Sequence, residues 1–383
     1  MSPSLHSKLP GVGTNIFTVM SALAAEHKAI NLAQGFPDFP CDPDLITRAE
    51  AAMRAGHNQY APMPGLLRLR EAIARQVSEA YGAAFDPISE ITVSTGATEG
   101  LLSTLQALVH PGDEVIVFEP AYDAYIPLIR LAGGTPVAIP LSFPNYRIPW
   151  DQVATALSPR TRAILINSPH NPAGSMIDSA DIQELVSLSE KHPFMVIADE
   201  VYEFITFDGH QHLSICGVEA LRNRSVVLSS FGKTLHTTGW KVGYALAAPE
   251  LSAEIRKVHQ FSVFATSTPF QHAIASYIED RSDEVWNLKH FYQAKRDLFL
   301  SLMEGSRFEP LPAAGAYFQL MRYGRISDLS DTEFSLWLTR TQGVACIPVS
   351  VFYAEGRDEG VVRFCFAKEN ATLEAAALRL KSL

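Results

Sequence analysis

The stretch Ser229-Ser-Phe-Gly-Lys-Thr-Leu-His-Thr-Thr-Gly-Trp-Lys-Val-Gly243 is the point around which the chain is organised. It follows the apolar run Ser225-Val-Val-Leu228, which reads as the end of a buried strand. Lys233 then falls on a turn that Gly232 makes permissive. An amine just past a strand end, among hydroxyls and a second cation, is placed to form a Schiff base with a carbonyl cofactor. That role needs a lowered pKa, and apolar surroundings together with the neighbouring cation Lys241 push in that direction. Taken alone, the stretch reads equally as two solvated lysines on a loop.

Further strand ends carry polar groups of the same kind. Ile91-Thr-Val-Ser-Thr-Gly-Ala-Thr-Glu-Gly100 reads as a strand, a small-residue turn and a helix continuing to 108. Backbone N–H groups at a helix start cradle anions, and Gly96 and Ala97 leave room for a close approach, although such junctions are common in α/β folds. Phe194-Met-Val-Ile-Ala-Asp-Glu-Val-Tyr202 puts Asp199 at the carboxyl end of a nearly continuous apolar run, where a carboxylate needs a partner. That partner is a protonated ring nitrogen, a structural ion pair or a helix cap. Asn171 sits in Ser168-Pro-His-Asn-Pro-Ala-Gly174, a turn stiffened by two prolines, where an Asx turn is the plain reading. In Val361-Val-Arg-Phe-Cys-Phe-Ala367, alternation places Arg363 on the face of Val361 and Cys365, an unusual place for a charge. It should therefore meet an anion, either an ordinary ion-pair partner or a bound carboxylate.

Ser230-x-x-Lys233 followed by Thr238-Gly-Trp-Lys-Val-Gly243 resembles the lysine motif of the class I/II aminotransferases, which use pyridoxal 5'-phosphate (PLP). It is most similar to the methionine and kynurenine branch, and the likeness runs from about Asn31 to Arg363. The resemblance implies a fold type I α/β architecture: a mostly parallel seven-stranded sheet with helices on both faces, plus a smaller α+β domain. It implies that Lys233 carries the cofactor, Asp199 meets the pyridine nitrogen, Tyr202 and Asn171 meet the 3-oxygen, and Tyr122 stacks on the ring. Gly96, Ala97, Thr98, Ser230 and Lys241 would hold the phosphate, with Tyr60 reaching the phosphate of a neighbouring subunit in a homodimer. Gly35, Asn171 and Arg363 would bind the substrate, with Arg363 holding its α-carboxylate and Gly35 beside it. Phe17 and Tyr125, with Tyr60, Phe264 and Phe352, are candidate apolar liners of the side-chain pocket. The expected division is an N-terminal arm over 1–44, a PLP-binding domain over 45–280 and a small domain over 281–383.

Strand and helix alternation through the middle independently implies a mostly parallel sheet, with ligands beyond the strands' carboxyl ends. Helices are expected over 17–25, 42–55, 66–81, 251–260 and 332–341, and one long helix from 270 to about 303. Strands are expected over 114–118, 137–140, 163–167, 244–248, 314–320, 344–349 and 361–367. The chain has 383 residues, enough for two domains, with 47% hydrophobic and 19% charged residues. A net charge of −10 argues against a nucleic-acid or anionic-membrane surface. Cys41, Cys216, Cys346 and Cys365 show no metal-ligand or disulfide spacing, so no metal is expected and a reducing cytoplasm is. No signal peptide or apolar run of membrane-spanning length is visible.

The expected reaction moves the amino group of methionine or an aromatic amino acid, with kynurenine among the candidates, to a 2-oxo acid. No second arginine is evident for a dicarboxylate side chain. The nearest alternative is a PLP-dependent carbon–sulfur β-lyase acting on cystathionine or cysteine conjugates, which shares every cofactor residue. A non-catalytic PLP-sensing regulator would add a DNA-binding domain, for which no room is expected before Asn31.

Overall fold

The computed structural model describes residues 6–383. Seven strands form the main sheet: β1 Ile91–Ser94, β2 Glu114–Glu119, β3 Thr135–Pro140, β4 Thr161–Asn167, β5 Met195–Asp199, β6 Ser225–Ser230 and β7 Gly243–Ala247. Their spatial order is β1-β7-β6-β5-β4-β2-β3. The β2–β6 pairings are parallel, while β7 runs antiparallel to both β6 and β1. The central strands are buried along their lengths, as strands covered on both faces must be, and hence read as unbroken apolar runs. A smaller four-stranded sheet includes Phe318–Arg322 and Val361–Cys365, which pair antiparallel with Leu320 opposite Arg363. The N-terminal arm joins the C-terminal part of the chain: Ile30 and Asn31 pair with Val344 and Ala345.

Register brings the polar strand ends together. Asn167 pairs with Asp199, and Asp199 with Leu228, so the ends of β4, β5 and β6 lie side by side. Because β7 runs the other way, its start lies at this same end, with Gly243 opposite both Ser230 and Ser94. A Cβ on Gly243 would sit 2.6 Å from the Ser229 carbonyl oxygen and 2.8 Å from the Ala97 nitrogen, so the strands close up only around glycine. Lys241, two residues earlier, is thereby carried to Gly96.

Local signals account for several helices. Asn15 caps Ile16–Glu26 through the Phe17 N–H, and Asp42 caps Pro43–Arg54 through the Asp44 N–H, with proline in the first turn. The expected long helix is two: Thr268–Asp280 and Ser282–Met303, broken at Arg281, whose φ of −132° and ψ of 39° leave the helical region. No proline or glycine marks that break. Lys233 lies within the short helix Phe231–Thr234 rather than on an open turn. The strand expected over 344–349 is interrupted into Val344–Ala345 and Ile347–Pro348, which belong to different sheets.

Candidate active site

At the carboxyl end of the sheet lies a cavity of about 260 Å³. Gly35, Tyr122, Asn171, Tyr202 and Lys233 line it, as do Gly96, Ala97, Thr98, Ser230, Lys241 and Arg363. Lys233 is half-buried, and its Nζ donates to the Tyr317 hydroxyl at 3.0 Å and the Gly35 carbonyl at 3.4 Å. Neither acceptor is an anion. Burial lowers its pKa from 10.5 to about 8, with Arg363 and Lys241 adding to the fall while Cys365 and Asp199 oppose it. An amine reacts with a carbonyl only when neutral. Capture of an aldehyde by cofactor-stripped protein should therefore rise with pH through a midpoint near 8, rather than near the ordinary lysine value. Stopped-flow rates from pH 6 to 10 check this, and a midpoint near 10 contradicts it.

Asp199 is buried at the end of β5. Its carboxylate accepts the Tyr125 hydroxyl at 2.6 Å and the Val201 N–H at 3.3 Å, both neutral donors. Burial raises its pKa, with the two hydrogen bonds and Lys233 pulling the other way. Asn167 ties the neighbourhood together: its amide donates to the Asp199 carbonyl at 2.8 Å and its oxygen accepts the Asn171 N–H at 2.8 Å.

Arg363 is the largest of the fully buried side chains, with 0% exposure. Its Nη1 donates to Asn171 Oδ1 at 2.8 Å and its Nη2 to the Ala33 carbonyl at 2.9 Å, while Nε has no partner. The guanidinium lies 4.0 Å from the Phe318 ring centroid and 5.0 Å from that of Phe17. It is a buried cation held by neutral acceptors and aromatic faces, the arrangement expected of a site waiting for an anion. Gly96, at φ +71°, faces Lys241: a Cβ there would stand 3.3 Å from Lys241 Nζ and 3.2 Å from Cε. Lys241 itself holds the left-handed conformation at φ 55°. A helix start, a cation and two small residues thus meet beside the buried carboxylate and the amine.

The model of the family "Aminotransferase class I and II" matches residues 27–380. The chain belongs to that family. The methionine aminotransferase of Escherichia coli K12 is 48% identical over 99% of this chain and 98% of its own length. The human kynurenine–oxoglutarate transaminase 1 is 32% identical, covering 98% of this chain and 97% of its own. A crystal structure of the E. coli methionine aminotransferase YbdL superposes with a TM-score of 0.98 at 47% identity, over 100% of both chains. This aminotransferase is accordingly a PLP-dependent transaminase of fold type I.

Two of the aromatic residues singled out in the sequence gain further contacts in the structure of this aminotransferase. Tyr125 lines the cavity, and its hydroxyl also donates to Asp199, because the short helix it begins turns that group toward the end of β5. Tyr60 lies outside this chain's own cavity lining and is 82% exposed, edge-on to Phe264 at 5.2 Å. Phe264 is likewise outside the cavity lining, whereas Phe17 borders it and packs on Phe352 at 5.9 Å. Sequence reasoning missed Tyr317 and Phe318. Tyr317 bridges Lys233 Nζ and the Gly35 carbonyl, which it meets at 2.6 Å, and Phe318 lies against the Arg363 guanidinium. The adjacent aromatics after Gly315 were the available signal, but they read as strand residues.

Proposed function

We propose that this transaminase moves the amino group of methionine or an aromatic amino acid, kynurenine included, to a 2-oxo acid. The observation that carries the reading is that Lys233, Asp199 and Arg363 converge on one cavity while the Arg363 guanidinium donates only to neutral acceptors among the described residues. The donor set fits the cofactor. Asp199, buried without a charged hydrogen-bond partner, suits a protonated ring nitrogen. The Tyr202 hydroxyl and the Asn171 amide nitrogen, left free because Asn171 Oδ1 is taken by Arg363, suit the 3-oxygen. Tyr122 would lie on the ring face. Gly96, Ala97, Thr98, Ser230 and Lys241 would hold the phosphate, with Tyr60 completing the cradle of a second copy in a homodimer. The exposed aromatic cluster of Tyr60 and Phe264 supports that dimer.

In this reading Arg363 grips the substrate α-carboxylate with its fork, and Gly35 lies beside that carboxylate. Bound PLP supplies the electron sink that makes the substrate's Cα–H acidic. Lys233 Nζ takes the Cα proton and returns it on the way to product, a task its lowered pKa suits. Asp199 keeps the proton on the ring nitrogen, and Tyr125 holds that carboxylate in line. The cations lining the cavity are Lys233, Lys241 and Arg363, each with a role, so none is left for a side-chain carboxylate. Phe17 and Phe318 offer apolar walls instead. We further propose the division of the chain at 44/45 and 280/281, and a cytoplasmic setting, which four unpaired cysteines support.

A panel of amino donors against several 2-oxo acids, read by keto-acid formation, tests the reading. Methionine and aromatic donors should exceed aspartate at least about tenfold in kcat/KM. Preference for aspartate contradicts it. Pyruvate and ammonia from cystathionine alone, without added 2-oxo acid, would favour the β-lyase.

A further inference from the structure

Behind the cradle lies a buried pair that the account above leaves unused. Glu99 stands in the first turn of the helix Gly96–Leu108, and His259 comes from the helix Pro249–Ser262. They are 9% and 1% exposed. The Glu99 carboxylate accepts the Thr95 N–H at 2.9 Å on one oxygen and the Ser103 hydroxyl at 2.6 Å on the other. His259 Nδ1 lies 3.0 and 3.1 Å from those two oxygens, and its Nε2 lies 3.1 Å from the Met63 carbonyl oxygen. A carboxylate that already accepts on both oxygens asks Nδ1 to donate. A carbonyl oxygen can only accept, so Nε2 donates as well. A ring that donates at both nitrogens is an imidazolium. Burial pushes the Glu99 pKa up, but His259, Ser103 and Thr95 outweigh it and hold the group below its ordinary range.

The placement has an electrostatic consequence. A carboxylate in the first turn of a helix competes with an external anion for the positive end of the same helix. Glu99 fixes Thr95, the residue just before the cradle, yet its charge opposes a phosphate bound there. We propose that His259 is a positioning residue of the phosphate cradle: its imidazolium cancels the Glu99 charge while leaving the carboxylate free to hold Thr95. The proposal rests on the reading of Gly96, Ala97 and Thr98 as the phosphate site.

The test compares PLP with pyridoxal, which lacks the phosphate, titrated into the full-length, cofactor-stripped chain. Wild type should prefer PLP; the absence of any preference would remove the cradle reading itself. H259Q should lose about tenfold in PLP affinity, the scale of one charge near a helix end, with pyridoxal affinity unchanged. E99Q/H259Q, which removes the charge as well as its partner, should recover the PLP preference. An equal loss for both ligands, or no recovery in the double variant, overturns the proposal by making His259 a packing residue. Should H259Q fail to fold, E99Q alone decides: it must keep or raise the preference for PLP, and a fall overturns the proposal.

Discussion

Lys233→Ala should lower kcat by at least about a thousandfold, the scale of losing a positioned acid–base group, and should abolish the visible absorbance of the PLP-loaded enzyme. Two properties of the lysine set this size. Its Nζ is held by the Tyr317 hydroxyl and the Gly35 carbonyl, so it is aimed without being neutralised by an anion. Its pKa near 8 leaves a substantial neutral fraction at physiological pH, which no ordinary lysine supplies. Folding should survive, because the side chain is half-buried and has only neutral partners; unchanged circular dichroism checks that. Activity within tenfold of wild type would take Lys233 out of the chemistry.

Arg363→Met should separate function from stability. The guanidinium is buried among Phe17, Phe318 and Phe352, with Nε unsatisfied and two neutral acceptors on its other nitrogens. Losing a desolvated carboxylate pair with the substrate should cut kcat/KM by roughly a hundredfold to a thousandfold, mostly through KM. Removing one member of an ordinary buried ion pair would also destabilise the fold by about 3–5 kcal/mol. Here no carboxylate among the described residues is hydrogen-bonded to the guanidinium, and Asp123 feels it only at longer range. Relief of the buried charge offsets the two acceptors that lose their donor, so the Tm of the substrate-free enzyme should stay close to wild type. A large fall in Tm in scanning calorimetry would mean that Arg363 is a structural cation.

The parts of the fold that were legible in the sequence are those whose cause is local. Buried parallel strands leave continuous apolar runs, so β4, β5 and β6 were readable from 163–167, 194–199 and 225–228, and with them the polar residues that follow. Asp42 with Pro43 announced a helix start because capping is a matter of neighbouring residues. The break at Arg281 was not legible, since no residue there forbids helix and packing decides it. The Tyr125–Asp199 hydrogen bond was hidden for a similar reason: an aromatic two residues after Asp123 shows its size in the sequence but not the direction of its hydroxyl, which is set by the short helix it opens. Tyr317 and Phe318 reach the site because Phe318 opens the strand that pairs with the one carrying Arg363, with Tyr317 just before it, a contact between segments far apart in the chain. The lysine motif and Arg363 stood out because burying a cation is costly enough to require a reason.

The central claim is that the cofactor is held covalently by one amine, and reductive trapping tests it most directly. PLP-loaded enzyme is treated with borohydride, digested and mapped by mass spectrometry. The account predicts a single pyridoxyl phosphate adduct, on Lys233 within the segment 229–243, beside an unlabelled Lys241. An adduct confined to another lysine, or none under saturating PLP, would contradict it.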